Sequence, residues 1–139
     1  MAARMNLGLG CPLLDALPHR HLPGEGETRV VELDITDDIR GPGGSVHGGI
    51  LCSLVDCAAA SAIAYASGRL VATSAFSINM LSAARVGPLR TTATPLRVTQ
   101  SHGVAEVHVH DTGKDDRLVA TALVTLTFLS GEAFERRTV

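Results

Sequence analysis

The hydrophobic period changes three times along the chain. Through residue 27 none is sustained. Pro12, Pro18, Pro23, Gly24 and Gly26 punctuate a segment that reads as a loosely ordered arm, with one helical turn around Leu13 to Leu17. At Arg29 a two-residue alternation begins, Val31, Leu33 and Ile35 on one side and Val30, Glu32, Asp34 and Thr36 on the other, which predicts a half-buried strand. Arg40-Gly41-Pro42-Gly43-Gly44-Ser45 cannot continue it. After His47-Gly48-Gly49 apolar residues recur at helical spacing, and Ile50, Leu51, Leu54, Val55, Ala58, Ala62 and Ile63 form a broad stripe. The opposite surface, with Cys52, Ser53, Asp56, Cys57, Ala60 and Ser61, is small, so this helix is expected to be buried nearly all round. Its end is expected at Ser67-Gly68, where glycine takes the left-handed conformation. Four extended segments follow, about 69–83, 87–101, 103–111 and 116–129, divided by Val86-Gly87-Pro88, Ser101-His102-Gly103 and Asp111-Thr112-Gly113-Lys114. Pro95 marks a bulge or an exposed stretch in the second of these.

Short links between the strands favour an antiparallel meander. Five strands and one long helix bury each other only if the sheet curls around the helix, which makes the predicted class α+β with a wrapped central helix. The 139 residues, 45% hydrophobic and 19% charged, suffice for one core, so the reading is an arm over 1–27 and one domain over 28–139. Aromatics are 3% and Trp is absent, so the core is aliphatic and a base-stacking surface has little to draw on. A net charge of -2 and a pI near 6.3 offer no general attraction to nucleic acid or to an anionic membrane, and neither is expected as a partner. Six acids fall between Glu25 and Asp38, read here as a solvated strand face rather than a docking surface. The apolar run from Ile50 to Ala66 is short for a membrane span and is interrupted by Asp56. Cys11, Cys52 and Cys57 make no even framework and no CxxC, which fits reduced thiols in a cytoplasm, and no secretory signal is read before Cys11.

Three features carry chemistry. The first amides of a helix lack intrahelical acceptors and sit at the positive end of its dipole. Those of Gly48 and Gly49 can therefore polarise a carbonyl, although the same glycines also serve a tight turn. Asp56 is a carboxylate in the middle of an Ala-rich helix, where it needs either a partner such as Arg69, Arg85 or a backbone amide, or a task as general base or nucleophile. His47 either faces a ligand or satisfies the loop backbone. His108 and His110 share a strand face without a third ligand, so no metal is expected, and Cys52 and Cys57 read as small core residues rather than nucleophiles.

The run Val46-His47-Gly48-Gly49-Ile50-Leu51-Cys52-Ser53-Leu54-Val55-Asp56, then an Ala-rich helix and Thr73-Ser74-Ala75-Phe76-Ser77-Ile78-Asn79-Met80-Leu81 before Gly87, resembles the hotdog-fold acyl-CoA thioesterases of the phenylacetate-pathway type. The resemblance covers about residues 28 to 130. It implies a sheet wrapped around the helix, sheets of two subunits joined edge to edge, and active sites between subunits. By the same resemblance Asp56 is the catalytic carboxylate, the Gly48 amide polarises the thioester carbonyl, His47 lines the site, Thr73 or Ser74 helps place water, and no cofactor is needed. Two positions depart from the relatives' pattern: Gly41 stands where many have Asn or Gln, and Ala60 where the residue is often polar.

Gly48 and Asp56 are eight residues apart on one helix, roughly 12 Å of rise, too far for one thioester carbonyl to meet both from the same chain. A twofold pair with antiparallel helices brings each Asp56 to the opposite Gly48, so a homodimer or a dimer of dimers is expected. Acyl-CoA also carries phosphates that need cations, and Arg85, Arg90, Arg97 and Arg117 lie near strand ends or turns, with Gly49 beside the thioester. The expected reaction is hydrolysis of an acyl-CoA to a carboxylic acid and CoA. The alternative is a non-catalytic module that binds acyl-CoA or acyl-carrier protein. A dehydratase fits less well, for want of that group's Asp and His around an Asn-Pro stretch.

Overall fold

In the computed structural model, which describes residues 11–130, the chain runs α1 (Pro12–Asp15), β1 (His19–Pro23), β2 (Arg29–Leu33), a 3-10 turn (Asp37–Ile39), α2 (Gly48–Ser67), β3 (Val71–Met80), β4 (Leu89–Val98), β5 (His102–Asp111) and β6 (Arg117–Phe128). The strands form one sheet in the order β1-β2-β4-β5-β6-β3, every neighbour antiparallel. The sheet curls around α2, whose Leu51, Leu54, Val55, Ala58, Ala59, Ala62 and Ile63 close the core against Val31, Leu33, Leu89, Val107, Val109, Val124 and Leu126. This is the α+β, wrapped-helix architecture expected from the sequence, with six strands rather than five.

The additional strand is β1, inside the segment read as an arm. It pairs with β2 from His19↔Leu33 to Pro23↔Arg29, so the boundary placed at residue 27 falls in a hairpin. His-Arg-His-Leu-Pro has no apolar alternation to read, and at the sheet edge Pro23 forfeits no interior ladder bond. The hairpin also changes the acidic face of β2. Glu32, 8% exposed, lies between Arg20 Nε and Arg90 Nη2, each at 3.6 Å, and Asp34 accepts from Arg20 at 3.1 Å, so these two acids are paired.

The helix is not buried all round. Cys52, Ser53, Asp56, Cys57, Ala60 and Ser61 remain half-buried within one chain. Small side chains record a close approach without saying whether the approaching surface is the chain's own. Where the sheet does approach, contact is tight: a Cβ on Gly103 of β5 would stand 2.7 Å from Ile63 Cγ2. Gly68 ends α2 at φ +68°, donating to the Ala64 carbonyl at 2.8 Å. The bulge expected at Pro95 lies between Pro95 and Arg97.

The two edges of the sheet differ. β1 is five residues long, with charge and proline. β3 is ten residues, uncharged, and exposed from Ala72 to Ser77.

Candidate active site

The loop entering α2 is held by its own carbonyls. Arg40 Nη1 donates to the Gly44 and Arg85 carbonyls at 2.8 and 2.9 Å, and Arg85 Nη1 donates to Gly43 at 3.2 Å. Val46 N–H reaches Ala84 O, and His47 N–H reaches Ile39 O, both at 2.9 Å. The loop thus delivers His47 to the N-cap of α2, where its Nδ1 accepts the Gly49 N–H at 3.0 Å. A ring accepting at Nδ1 carries its hydrogen on Nε2 when neutral. Two expectations separate here. The Gly49 amide is consumed by the cap and is not available to a substrate. The Gly48 N–H, first of the helix, has no acceptor among the described residues. Beside it an open depression of about 370 Å³ is lined by Asp38, Ile39, Arg40, His47, Gly49 and Ile50.

Two turns along α2, the Asp56 carboxylate accepts from Thr73 Oγ1 of β3 at 2.5 Å. Its partner is therefore a neutral hydroxyl, not Arg69 or Arg85. Arg69 lies over the Phe128 ring, 4.2 Å from its centroid, and donates to Gln100 O at 2.8 Å. Half-buried, with one neutral partner, Asp56 keeps acceptor capacity for water. The Thr73 oxygen likewise keeps lone pairs while its hydrogen is committed. Ser74 stands at the irregularity between Thr73 and Ala75 and donates to Thr125 O at 3.2 Å, so its hydroxyl serves the neighbouring strand.

The four arginines read as phosphate ligands do not gather here. Arg85 clamps the loop, and Arg90 faces Glu32 on the outer side of the sheet. Arg97 follows the β4 bulge, and Arg117 opens β6 opposite Asp111. Arg40, which lines the depression, was missed because a lone Arg before a glycine loop has no distinguishing spacing. Next to Asp56, burial pushes the Cys57 thiol up to about 12, helped by Asp56, Cys11 and Asp15, so this sulfur stays protonated. His108 lies 3.4 Å from Glu106. Among the described residues no group of three His, Cys, Asp or Glu side chains assembles for a metal.

Solved structures share this fold. AziG of S. sahachiroi superposes with a TM-score of 0.76 at 27% identity, over 86% of this chain and 97% of that one. The E. coli PaaI protein from the phenylacetic acid degradation operon gives 0.79 at 24%, over 88% and 87%. Zebrafish thioesterase superfamily member 2 gives 0.79 at 22%, over 91% and 94%. No curated protein matches the chain by sequence. The sequence profile of the Thioesterase superfamily matches residues 43–120, which run from the glycine loop through α2 and β3 into β6. That is more than half of the chain, and with the hotdog architecture it establishes that the chain belongs to the Thioesterase superfamily.

Proposed function

We propose that the chain hydrolyses acyl-CoA thioesters in the cytoplasm, at sites shared between two copies and of the phenylacetate-pathway kind. The observation that carries this reading is the division of labour along α2: a carboxylate held by a neutral hydroxyl at Asp56, and roughly 12 Å of helix away a Gly48 N–H with no acceptor among the described residues. One carbonyl reaches both only if they come from different chains. Edge pairing of β3 with a second β3 supplies that arrangement, since the strand is long, uncharged and exposed, whereas β1 is short and charged.

In this site the Gly48 N–H holds the carbonyl oxygen as it gains charge, aided by the helix dipole. Asp56 of the other chain, oriented by Thr73, takes a proton from water as the water oxygen bonds to the carbonyl carbon. The C–S bond then breaks and the proton leaves with CoA thiolate, giving acid and free thiol. In the nucleophilic route Asp56 itself bonds to the carbonyl carbon as the C–S bond breaks and CoA thiolate leaves; water then adds to the mixed anhydride, splitting it into the acyl acid and the regenerated Asp56 carboxylate, and its proton goes to the thiolate. His47 fixes the start of the helix rather than touching the reacting atoms. A second reading, a module that binds acyl-CoA or acyl-carrier protein without turnover, draws support from Gly41, which contributes no side-chain amide beside His47.

Asp56→Asn separates the two. Hydrolysis predicts a turnover lower by about a hundredfold or more with acyl-CoA binding retained. The thermal midpoint should barely move, because an amide oxygen still accepts from Thr73, a bond worth about 1 kcal/mol. Unchanged turnover would remove Asp56 from the chemistry, and a wild-type chain that binds acyl-CoA without releasing thiol would favour the binding module.

A further inference from the structure

We propose that Met80 is the side chain that selects the acyl group. The inference rests on the thioesterase reading and names what that acyl group meets. Phe76, Ile78 and Met80 of β3 are in register with Val124, Ala122 and Ala120 of β6, all buried, so the three lie on the helix side of the sheet. Side chains on that side ordinarily finish in the core, yet Phe76 keeps 36% and Met80 46% of its surface. The strand is an edge, and the β6 neighbour of Met80 is only an alanine. Met80 instead turns onto the start of α2, its Cε and Sδ 3.4 and 3.7 Å from where a Cβ of Gly48 would stand.

Gly48 is the residue whose N–H finds no acceptor among the described residues. A carbonyl oxygen bonded there brings its carbon substituent against the Met80 thioether. The neighbouring Phe76 and Ile78 extend an apolar row that suits hydrocarbon and not the amides of the pantetheine arm. Methionine is unbranched, with three rotatable bonds and a polarisable sulfur, so this wall accepts straight chains and flat rings and gives way at its end. The substrate class is accordingly acyl-CoA with a small to medium apolar acyl group, its upper size set by Met80.

The test is the ratio of kcat/KM for benzoyl-CoA to that for butanoyl-CoA, a quantity independent of how much of a variant is folded. Met80→Ala is expected to raise the ratio by about tenfold or more, the scale of a changed hydrophobic pocket, and Met80→Trp to lower it. Leu123→Ala, on the outer face of β6, should leave it unchanged. A ratio that neither Met80 variant moves overturns the inference. Should the wild-type chain hydrolyse neither ester, the ratio of their affinities is measured in its place, for the wild-type chain and Met80→Ala. A shift there retains Met80 as the acyl selector while removing the thioesterase reading, and no shift overturns both.

Discussion

Asp111 shows how far one side chain governs the geometry near the glycine loop. It is 0% exposed, and its oxygens accept the N–H groups of Arg85, Val86 and Gly87 at 2.8, 3.0 and 2.7 Å. Burial alone pushes the carboxyl up. The N–H bonds from Arg85, Val86, Gly87 and Gly113 outweigh it and hold the group below its ordinary value. A carboxyl lowered by folding stabilises the native state above its unfolded pKa near 3.8, and that contribution disappears as pH falls through the lower folded value. Asp111→Asn is therefore expected to cost about 2 kcal/mol at neutral pH, and to flatten the loss of stability below pH ~4, read from urea midpoints against pH. The same segment reaches the site, because Ala84 and Arg85 accept from Val46 and Arg40 of the loop before α2. None of this was legible in sequence, where Asp111 read as turn punctuation. Asp56 was legible as a carboxylate out of place. Its partner was not, since Thr73 lies 17 residues on and on another element, and opposite charge pointed to arginines instead.

At the scale of elements, the strongly periodic segments were readable and the short one was not. The segments expected over 69–83, 87–101, 103–111 and 116–129 became Val71–Met80, Leu89–Val98, His102–Asp111 and Arg117–Phe128, because alternation over ten residues leaves little freedom of register. β1 owes its existence to pairing with β2 rather than to any pattern of its own. The helix was recognised with both ends, but the coverage of its second face depends on tertiary context. Its packed face is unforgiving. Gly103→Ala places a Cβ 2.7 Å from Ile63 Cγ2, and Ile63 is fully buried with no room to retreat. The expected result is a loss of about 1–3 kcal/mol in chemical denaturation, and a stability within error of wild type would show that α2 and β5 leave room for the added methyl group.

The whole molecule poses the question of what completes it. A curled sheet covers one face of α2, a long uncharged strand ends the sheet, and the Asp56 carboxylate and the Gly48 amide lie at separate places along the helix. The proposed second copy, joined at β3, would answer all three at once. The most direct test mixes two inactive variants. Asp56→Asn removes the carboxylate. Gly48→Pro removes the amide at the first helical position, where proline is tolerated because its missing N–H lacks an intrahelical acceptor anyway. Each variant alone is predicted to be inactive. Co-refolded in equal amounts, they form mixed dimers in which one site receives Asp56 from one chain and Gly48 from the other. About a quarter of wild-type thioesterase activity should return, since random pairing makes half the dimers mixed and each mixed dimer has one intact site of two. A mixture as inactive as its parents, with mixed dimers present, would contradict the shared site.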